Sequence, residues 1–139
     1  MRRVALTVAL TVALAGCGGS GTTSTPSINA TEPRPASSAT LAIVEPKDDA
    51  IVRGDRVEVE FALEGGELVD LTVTEVRPDQ GHLHVTLDGA LVSMTGGLHQ
   101  ELGHLSPGPH LLKAEFVAAD HAPFDPRVLA AVAFTVEEA

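Results

Sequence analysis

Short alternations of apolar and polar residues, separated by turn-forming residues, most constrain the fold of this chain. From Val57 to Leu63 every second residue is a large apolar one, and Leu83 to Leu87 repeats the pattern. Side chains of a β-strand point alternately to its two faces, so a period of two indicates strands with one buried face. Turn signals such as Gly65-Gly66 and Asp88-Gly89 separate these stretches, and no stretch has the 3.6-residue period of an amphipathic helix. The sequence therefore predicts an all-β domain.

The alternating pattern begins near Leu41 and runs in about eight segments to Val136. The apolar side chains of these segments are expected to form one shared core. The predicted core residues are Val57, Val59, Phe61, Leu83, Val85, Leu87, Leu112, Phe116, Val132 and Phe134. A further alternation, Val69 to Thr74, is also interpreted as a strand.

Three motifs in this region resemble bacterial immunoglobulin-like domains. They are the opening turn at Glu45-Pro46, the strand that leads into Asp88-Gly89, and Leu105-Ser106-Pro107-Gly108-Pro109-His110-Leu111-Leu112 before a long strand. Together with Gly81-His82-Leu83-His84 and Asp120-His121, they are also similar to a group of uncharacterised exported bacterial domains. The resemblance implies a single immunoglobulin-like antiparallel β-sandwich over residues 41–139. It implies a fold more than an activity, because such sandwiches serve many functions.

The first seventeen residues have the composition of an export signal. Arg2 and Arg3 precede the apolar run Val4–Leu14, which is shorter than the roughly 20 residues that a membrane-spanning helix needs. The run ends in Leu14-Ala15-Gly16-Cys17, which resembles the lipobox of bacterial lipoproteins at all four positions. This resemblance implies removal of residues 1–16 as a signal peptide. It also implies a mature N-terminal Cys17 with a diacylglyceryl group on its sulfur and an amine open to acylation, for example by palmitate.

By the same resemblance, the protein is expected to be a membrane-anchored lipoprotein outside the cytoplasm. It would lie on the outer face of the cell membrane, or in the periplasm or outer membrane. Residues 17–40 are rich in Gly, Ser, Thr, Pro and Ala. They carry too little apolar surface to offset the entropy of ordering, so they are interpreted as the lipidated cysteine and a flexible linker.

Charge and cysteine content limit the partners. Without Arg2 and Arg3, the mature chain has 7 basic against 19 acidic residues, a formal net charge of −12, which argues against a nucleic-acid partner. Cys17 is the only cysteine, so the exported domain has neither a disulfide nor a thiolate metal site. Its stability must come from packing.

Histidines provide the candidate binding site. His82 and His84 lie on the polar face of one predicted strand, with Cα atoms roughly 6.5 to 7 Å apart. If that strand is strand C of the sandwich, it begins where strand F ends, and His121 reaches the same pole. If Leu68–Val76 is strand C instead, the histidine strand becomes C′ and the cluster moves towards the sheet edge.

Asp120 and Asp125, in the loop next to His121, would add carboxylates to the cluster. The hypothetical ligands for a divalent metal are His82, His84, His121, Asp120 and Asp125. Imidazole and carboxylate suit copper(II), zinc or nickel, so the possible cofactor is copper or zinc. The alternative is that these histidines have no metal role, since polar strand faces often carry histidine.

The other histidines are given structural or surface roles: His110 lies in an apolar row and should be hydrogen-bonded, whereas His99 and His104 should be at the surface.

No catalytic motif is found. The sequence lacks a Gly-x-Ser-x-Gly nucleophile elbow and a phosphate-binding glycine loop before a helix. The chain is therefore interpreted as a non-enzyme. Its expected function is a lipid-anchored interaction or structural module with an envelope protein as possible partner. The alternative is an envelope metal-binding protein that uses His82, His84 and His121.

Overall fold

The computed structural model describes residues 33–139 of the chain. These residues form nine β-strands and no helix. The predicted signal peptide, Cys17 and the linker up to residue 32 lie outside these residues. The strands are β1 (Thr40–Glu45), β2 (Ala50–Arg53), β3 (Arg56–Glu64), β4 (Glu67–Leu68), β5 (Gln80–Leu87), β6 (Ala90–Thr95), β7 (His99–Gly103), β8 (Gly108–Ala118) and β9 (Pro123–Glu137). Between residues 33 and 139 there is no helix able to cross a membrane.

The strands form two sheets. The first has the order β1-β3-β7, and the second has the order β2-β9-β8-β5, with β4 and β6 both beside β5. In immunoglobulin notation, β1, β3 and β7 are strands A, B and E, while β5, β8 and β9 are C, F and G. This order confirms the predicted immunoglobulin-like sandwich. It also assigns the histidine strand, β5, to C.

The core lies between the inward rows of the two sheets. Eight of the ten predicted core residues are buried, and Leu87 and Val132 are partly buried against them. Phe116 and Phe124 stack at one end with ring centroids 5.2 Å apart. All core side chains of the described residues fall between Ala39 and Val136. Residues 33–139 therefore carry their own hydrophobic core and are the natural unit for experiments in solution.

The alternation from Val69 to Thr74 is not a strand, and that prediction was wrong. Only the two residues of β4 pair with β5 before the chain turns away. Asp70 explains the turn, because its Oδ1 accepts hydrogen bonds from the backbone N and the hydroxyl of Thr72, at 2.9 and 2.7 Å. Val73 N donates to Asp70 O at 2.9 Å. Such a local side-chain cap competes with ladder pairing.

The folded unit begins before the predicted domain start at Leu41. Ser38 N and Ser37 Oγ both donate to Asp79 Oδ1, at 2.6 and 2.7 Å, and Asp125 N donates to Pro35 O at 3.0 Å. Ala39 is buried in the core. Residues 33–40, assigned to the linker from composition, therefore belong to the domain.

Gly81 provides a test of the register between β5 and β8. A Cβ at Gly81 would lie 1.7 Å from Val117 O, whereas a Cβ at Gly103 would meet nothing closer than Arg56 Cγ at 3.8 Å. Gly81→Ala should push the two strands apart and cost about 3 kcal/mol or more, a melting-temperature loss above roughly 10 °C. The control Gly103→Ala should change stability by less than about 0.5 kcal/mol. Thermal unfolding by circular dichroism measures both, and equal melting temperatures would contradict the register.

Candidate functional site

His82 is fully buried although it lies on the face of β5 opposite Leu83. Its Nε2 is 3.0 Å from the carbonyl oxygen of Asp70, in the turn after β4. A carbonyl only accepts hydrogen bonds, so Nε2 carries a proton and donates it to Asp70 O. The Nδ1 of His82 is buried and has no hydrogen-bond partner among the described residues.

His121 reaches the cluster because of the turn that joins β8 to β9. His121 N donates to Ala118 O at 2.8 Å, and Ala118 N donates to Ala122 O at 3.0 Å. His121 itself has φ of 63°, the left-handed conformation that closes this type of hairpin and that usually falls to Gly, Asn or Asp. The turn places its imidazole against His82, with ring centroids 4.6 Å apart and planes 22° from parallel.

His84 completes the cluster. Its Nε2 lies 3.2 Å from His121 Nδ1, and the two ring centroids are 5.5 Å apart. The centroid distance exceeds the nitrogen distance by 2.3 Å, which is about twice the distance from the centre of an imidazole to one of its nitrogens. The two nitrogens therefore lie on the line between the ring centres and point straight at each other. This arrangement is a hydrogen bond in which the two rings share one proton.

The cluster disfavours a positive charge on His84. Burial lowers the pKa of His84, and repulsion by a charged His121 lowers it further. Glu115, which lies opposite His84 on β8, acts in the other direction, and His82 adds a smaller lowering effect. The neutral imidazole is therefore the form that the fold favours at this position.

The two aspartates do not join the histidines. Both carboxylate oxygens of Asp120 accept hydrogen bonds from Arg34, at 2.6 and 2.8 Å, and this pairing lowers the pKa of Asp120. Asp125 is exposed, and its carboxylate makes no hydrogen bond to any described residue. Between residues 33 and 139, no group of three or more His, Cys, Asp or Glu side chains is arranged to hold a metal ion. The structure thus brings together three of the five predicted ligands, with His121 stacked on His82 and hydrogen-bonded to His84.

His110 occupies the opposite pole and has the structural role that the sequence predicts. Its Nδ1 and Nε2 lie 2.7 Å from Asp88 Oδ2 and from Ser106 O, respectively. The hydrogen bond to the Ser106 carbonyl, with help from Asp88, raises the pKa of His110 against the effect of burial. The His110 ring ties the β5–β6 turn to the loop before β8. His99 and His104 are exposed, as expected.

An apolar sheet surface was not predicted. We define the outer face as the outward-pointing side chains of β2, β9, β8, β5 and β6. Six of the nine exposed large apolar side chains of the described residues lie on it or on its edge strand β6: Ile51, Leu91, Val92, Met94, Leu111 and Leu129. The sequence signal was the unbroken apolar run Val128–Phe134, which is typical of a strand covered on both faces.

The outer face also lacks the acidity of the domain. Residues 33–139 exclude Glu32, Arg2 and Arg3 and so contain 18 acidic and 7 basic residues, a net charge of −11. Three acidic residues lie on these strands: Glu115, which pairs with Arg127, Glu137, which pairs with Arg53, and Asp125 on β9. Lys113 adds a further positive charge. With three basic and three acidic residues, the face is close to neutral on a strongly negative domain.

Comparisons with known proteins show structural similarity but no sequence match. No protein-family model and no curated protein matches the sequence. Fibronectin(III)-like modules of Clostridium thermocellum CbhA are similar in structure, with 12% identity and a TM-score of 0.46 over 72% of this chain and 99% of theirs. The PKD domain of human KIAA0319 shows 16% identity and a TM-score of 0.46 over 78% of this chain and 89% of its own. An engineered protein matches at 15% identity and a TM-score of 0.46 over 71% of this chain and 20% of its own. None of these similarities is close enough to transfer a function.

The two histidine sites should respond to pH in opposite directions. The fold raises the pKa of His110, so its contribution to stability is complete below about pH 6.5 and is lost as the pH rises through the raised value. The fold lowers the pKa of His84, so its contribution is present above about pH 6.5 and is lost as the pH falls.

The free energy of unfolding lost in His110→Gln should therefore be larger at about pH 5.5 than at about pH 8.5, and the loss in His84→Gln should be larger at the higher pH. Urea unfolding of residues 33–139 at both values measures this, with His104→Gln as the exposed-site reference. The same trend in both variants would contradict the assigned protonation states.

Proposed function

We propose that this protein is a non-catalytic, lipid-anchored binding module that uses its outer face to contact a protein of the cell envelope. The fold supports the general class, since immunoglobulin-like sandwiches commonly act as interaction or structural modules. The observation that carries the proposal is the concentration of exposed apolar side chains on one sheet face.

The size of the outer face fits a binding surface. Five strands at about 4.8 Å spacing give a width of about 19 Å, and the rows from Leu129 to Thr135 give a length of about 20 Å. The resulting area of about 400 Å² is within the range at which exposed apolar patches of single domains are often functional. Alanines at positions 131 and 133 lie between the large side chains and keep the middle of the surface flat.

The proposal assigns no reaction to the histidine cluster or to His110. The buried histidines His82 and His110 each donate to a main-chain carbonyl, and His84 and His121 share a proton with each other. These bonds hold loops to strands. We therefore assign the buried imidazoles the task of fixing the two poles of the sandwich.

The lipid anchor is proposed from the lipobox at Cys17 and fits the place where the folded unit starts. Arg34 is bonded to Asp120 and to the carbonyl oxygens of Ala122 and Pro123, so the chain enters the domain at the pole of the histidine cluster. The sixteen residues from 17 to 32 can span at most about 55 Å. The outer face would then stay within reach of other membrane-attached proteins.

In-cell photo-crosslinking of the full chain tests the module and its anchor together. A photo-reactive amino acid replaces Leu129, on the outer face, or Val76, which is exposed on the β4–β5 loop. We expect crosslinked adducts in the membrane fraction from position 129 and few from position 76, because only the first lies in the proposed interface. Adding Cys17→Ala should release the protein from the membrane fraction and reduce the adduct. Adducts of equal yield at both positions would refute the interface, and unchanged membrane attachment of Cys17→Ala would refute the anchor.

A second candidate function is binding of copper(II) or zinc by His84 and His121. The observation that favours it is the pairing of their nitrogens at 3.2 Å beside the unpartnered Nδ1 of His82. Two imidazoles that bind one zinc ion at about 2.0–2.1 Å have nitrogens about 3.3 Å apart. The spacing therefore suits a shared metal, provided that the shared proton leaves and the rings turn so that their lone pairs converge.

Calorimetric titration of residues 33–139 with copper(II) and with zinc tests this candidate. If it is right, binding should be submicromolar, should be lost in His84→Gln and His121→Gln, and should weaken below about pH 6.5 as the imidazoles take up protons. His99→Gln, at an exposed site on β7, is the control and should bind as the unchanged domain does. Equally weak binding by all four proteins would eliminate metal binding at this cluster.

A further inference from the structure

We propose that the partner of the outer face is a second copy of this chain, packed face to face about a two-fold axis. This inference rests on the proposed function, because it names the occupant of the same surface. Charge is its first support: with a net charge of −11 over residues 33–139, two copies repel each other through most surfaces. The outer face is close to neutral, so two such faces approach without that repulsion.

The arrangement of charges on β8 is self-complementary. Lys113 and Glu115 both point outwards and flank Ala114, which is buried in the core. A two-fold axis that crosses β8 at the level of Ala114 makes the two β8 strands antiparallel. It places Lys113 of each copy opposite Glu115 of the other. Two equivalent ion pairs form in this way, each beside the pair that Glu115 already makes with Arg127 of its own copy, as an isologous interface requires.

The same axis matches the apolar side chains by size. Strand pairing places Met94, His84, Glu115 and Leu129 in one row across the outer face, and Leu91, Thr86, Lys113 and Ala131 in the next row. The two-fold axis places the first row of each copy over the second row of the other copy. The large Leu129 then faces the small Ala131, and Met94 faces Leu91. Packing of large against small residues is what lets two sheet faces approach closely.

The area available makes this a weak dimer that depends on the membrane. About 400 Å² from each copy is below the roughly 800 Å² per partner of a standard stable interface. Confinement of both copies to one membrane raises their effective concentration, so a contact too weak to persist in dilute solution becomes populated. A dimer tied to the anchor is therefore the form that we expect in the cell.

A charge-swap experiment tests the axis. The full chain, with the photo-reactive residue at position 129, is produced in membranes with Lys113→Glu or with Glu115→Lys. Each change alone places like charges opposite each other, so the adduct of two chains should fall about fivefold or more. Co-production of the two variants restores both ion pairs in the mixed dimer and should restore the adduct. Lys47→Glu, the same charge change in the β1–β2 turn, where the Lys47 side chain bonds to Val44 O of the first sheet, should leave the adduct unchanged.

The outcomes separate the two proposals. An adduct of two copies that responds to the charge swap as described supports the dimer. An adduct that joins this chain only to a different protein overturns the second copy and keeps the binding module. A two-copy adduct that is equal in all the charge variants overturns the axis, and absence of any adduct at position 129 overturns both proposals.

Discussion

The close approach of β5 to β8 is the constraint on which the rest of the structure depends. Gly81 lets the Val117 carbonyl lie where any other residue would place its Cβ, and this contact sets the register of the two strands. In that register Leu83 pairs with Phe116 inside the core, and His84 pairs with Glu115 outside it. A slip by one residue would exchange the two faces of the strand. This one contact between backbones thus determines which side chains of β5 and β8 are buried in the core and which lie on the outer face.

The strands and the core were predictable from sequence because alternation reports directly which side of a strand is buried. The meeting of His82, His84 and His121 followed from the C-to-F neighbour relation, which is a property of the fold class. Placement of Asp120 was not predictable, because its partner Arg34 lies 86 positions away in a segment whose composition indicates a linker. The turn at Asp70 was missed because a side-chain cap overrode an alternating pattern.

The outer face was missed for a different reason. Leu129, Ala131 and Ala133 sit at alternate positions of a run in which both faces are apolar, so periodicity gives no sign of which face is covered. Only the pairing of β9 with β8 and β2 shows that one of its faces has no partner within the domain. The strongly acidic composition of the chain also gave no indication of this surface. Charge is uneven over the described residues, and the average value hides a sheet face that is free of excess negative charge.

The bonds of Arg34 determine how mechanical load enters the domain. Its guanidinium holds Asp120, Ala122 and Pro123, all in the hairpin between β8 and β9. A pull on the chain from its N-terminal side therefore acts on β8 and β9 before it acts on β1. Strand β1 would otherwise separate from β3 one hydrogen bond at a time. Because β8 and β9 also form the middle of the outer face, tension between the proposed anchor and a partner bound to that face would run through these two strands.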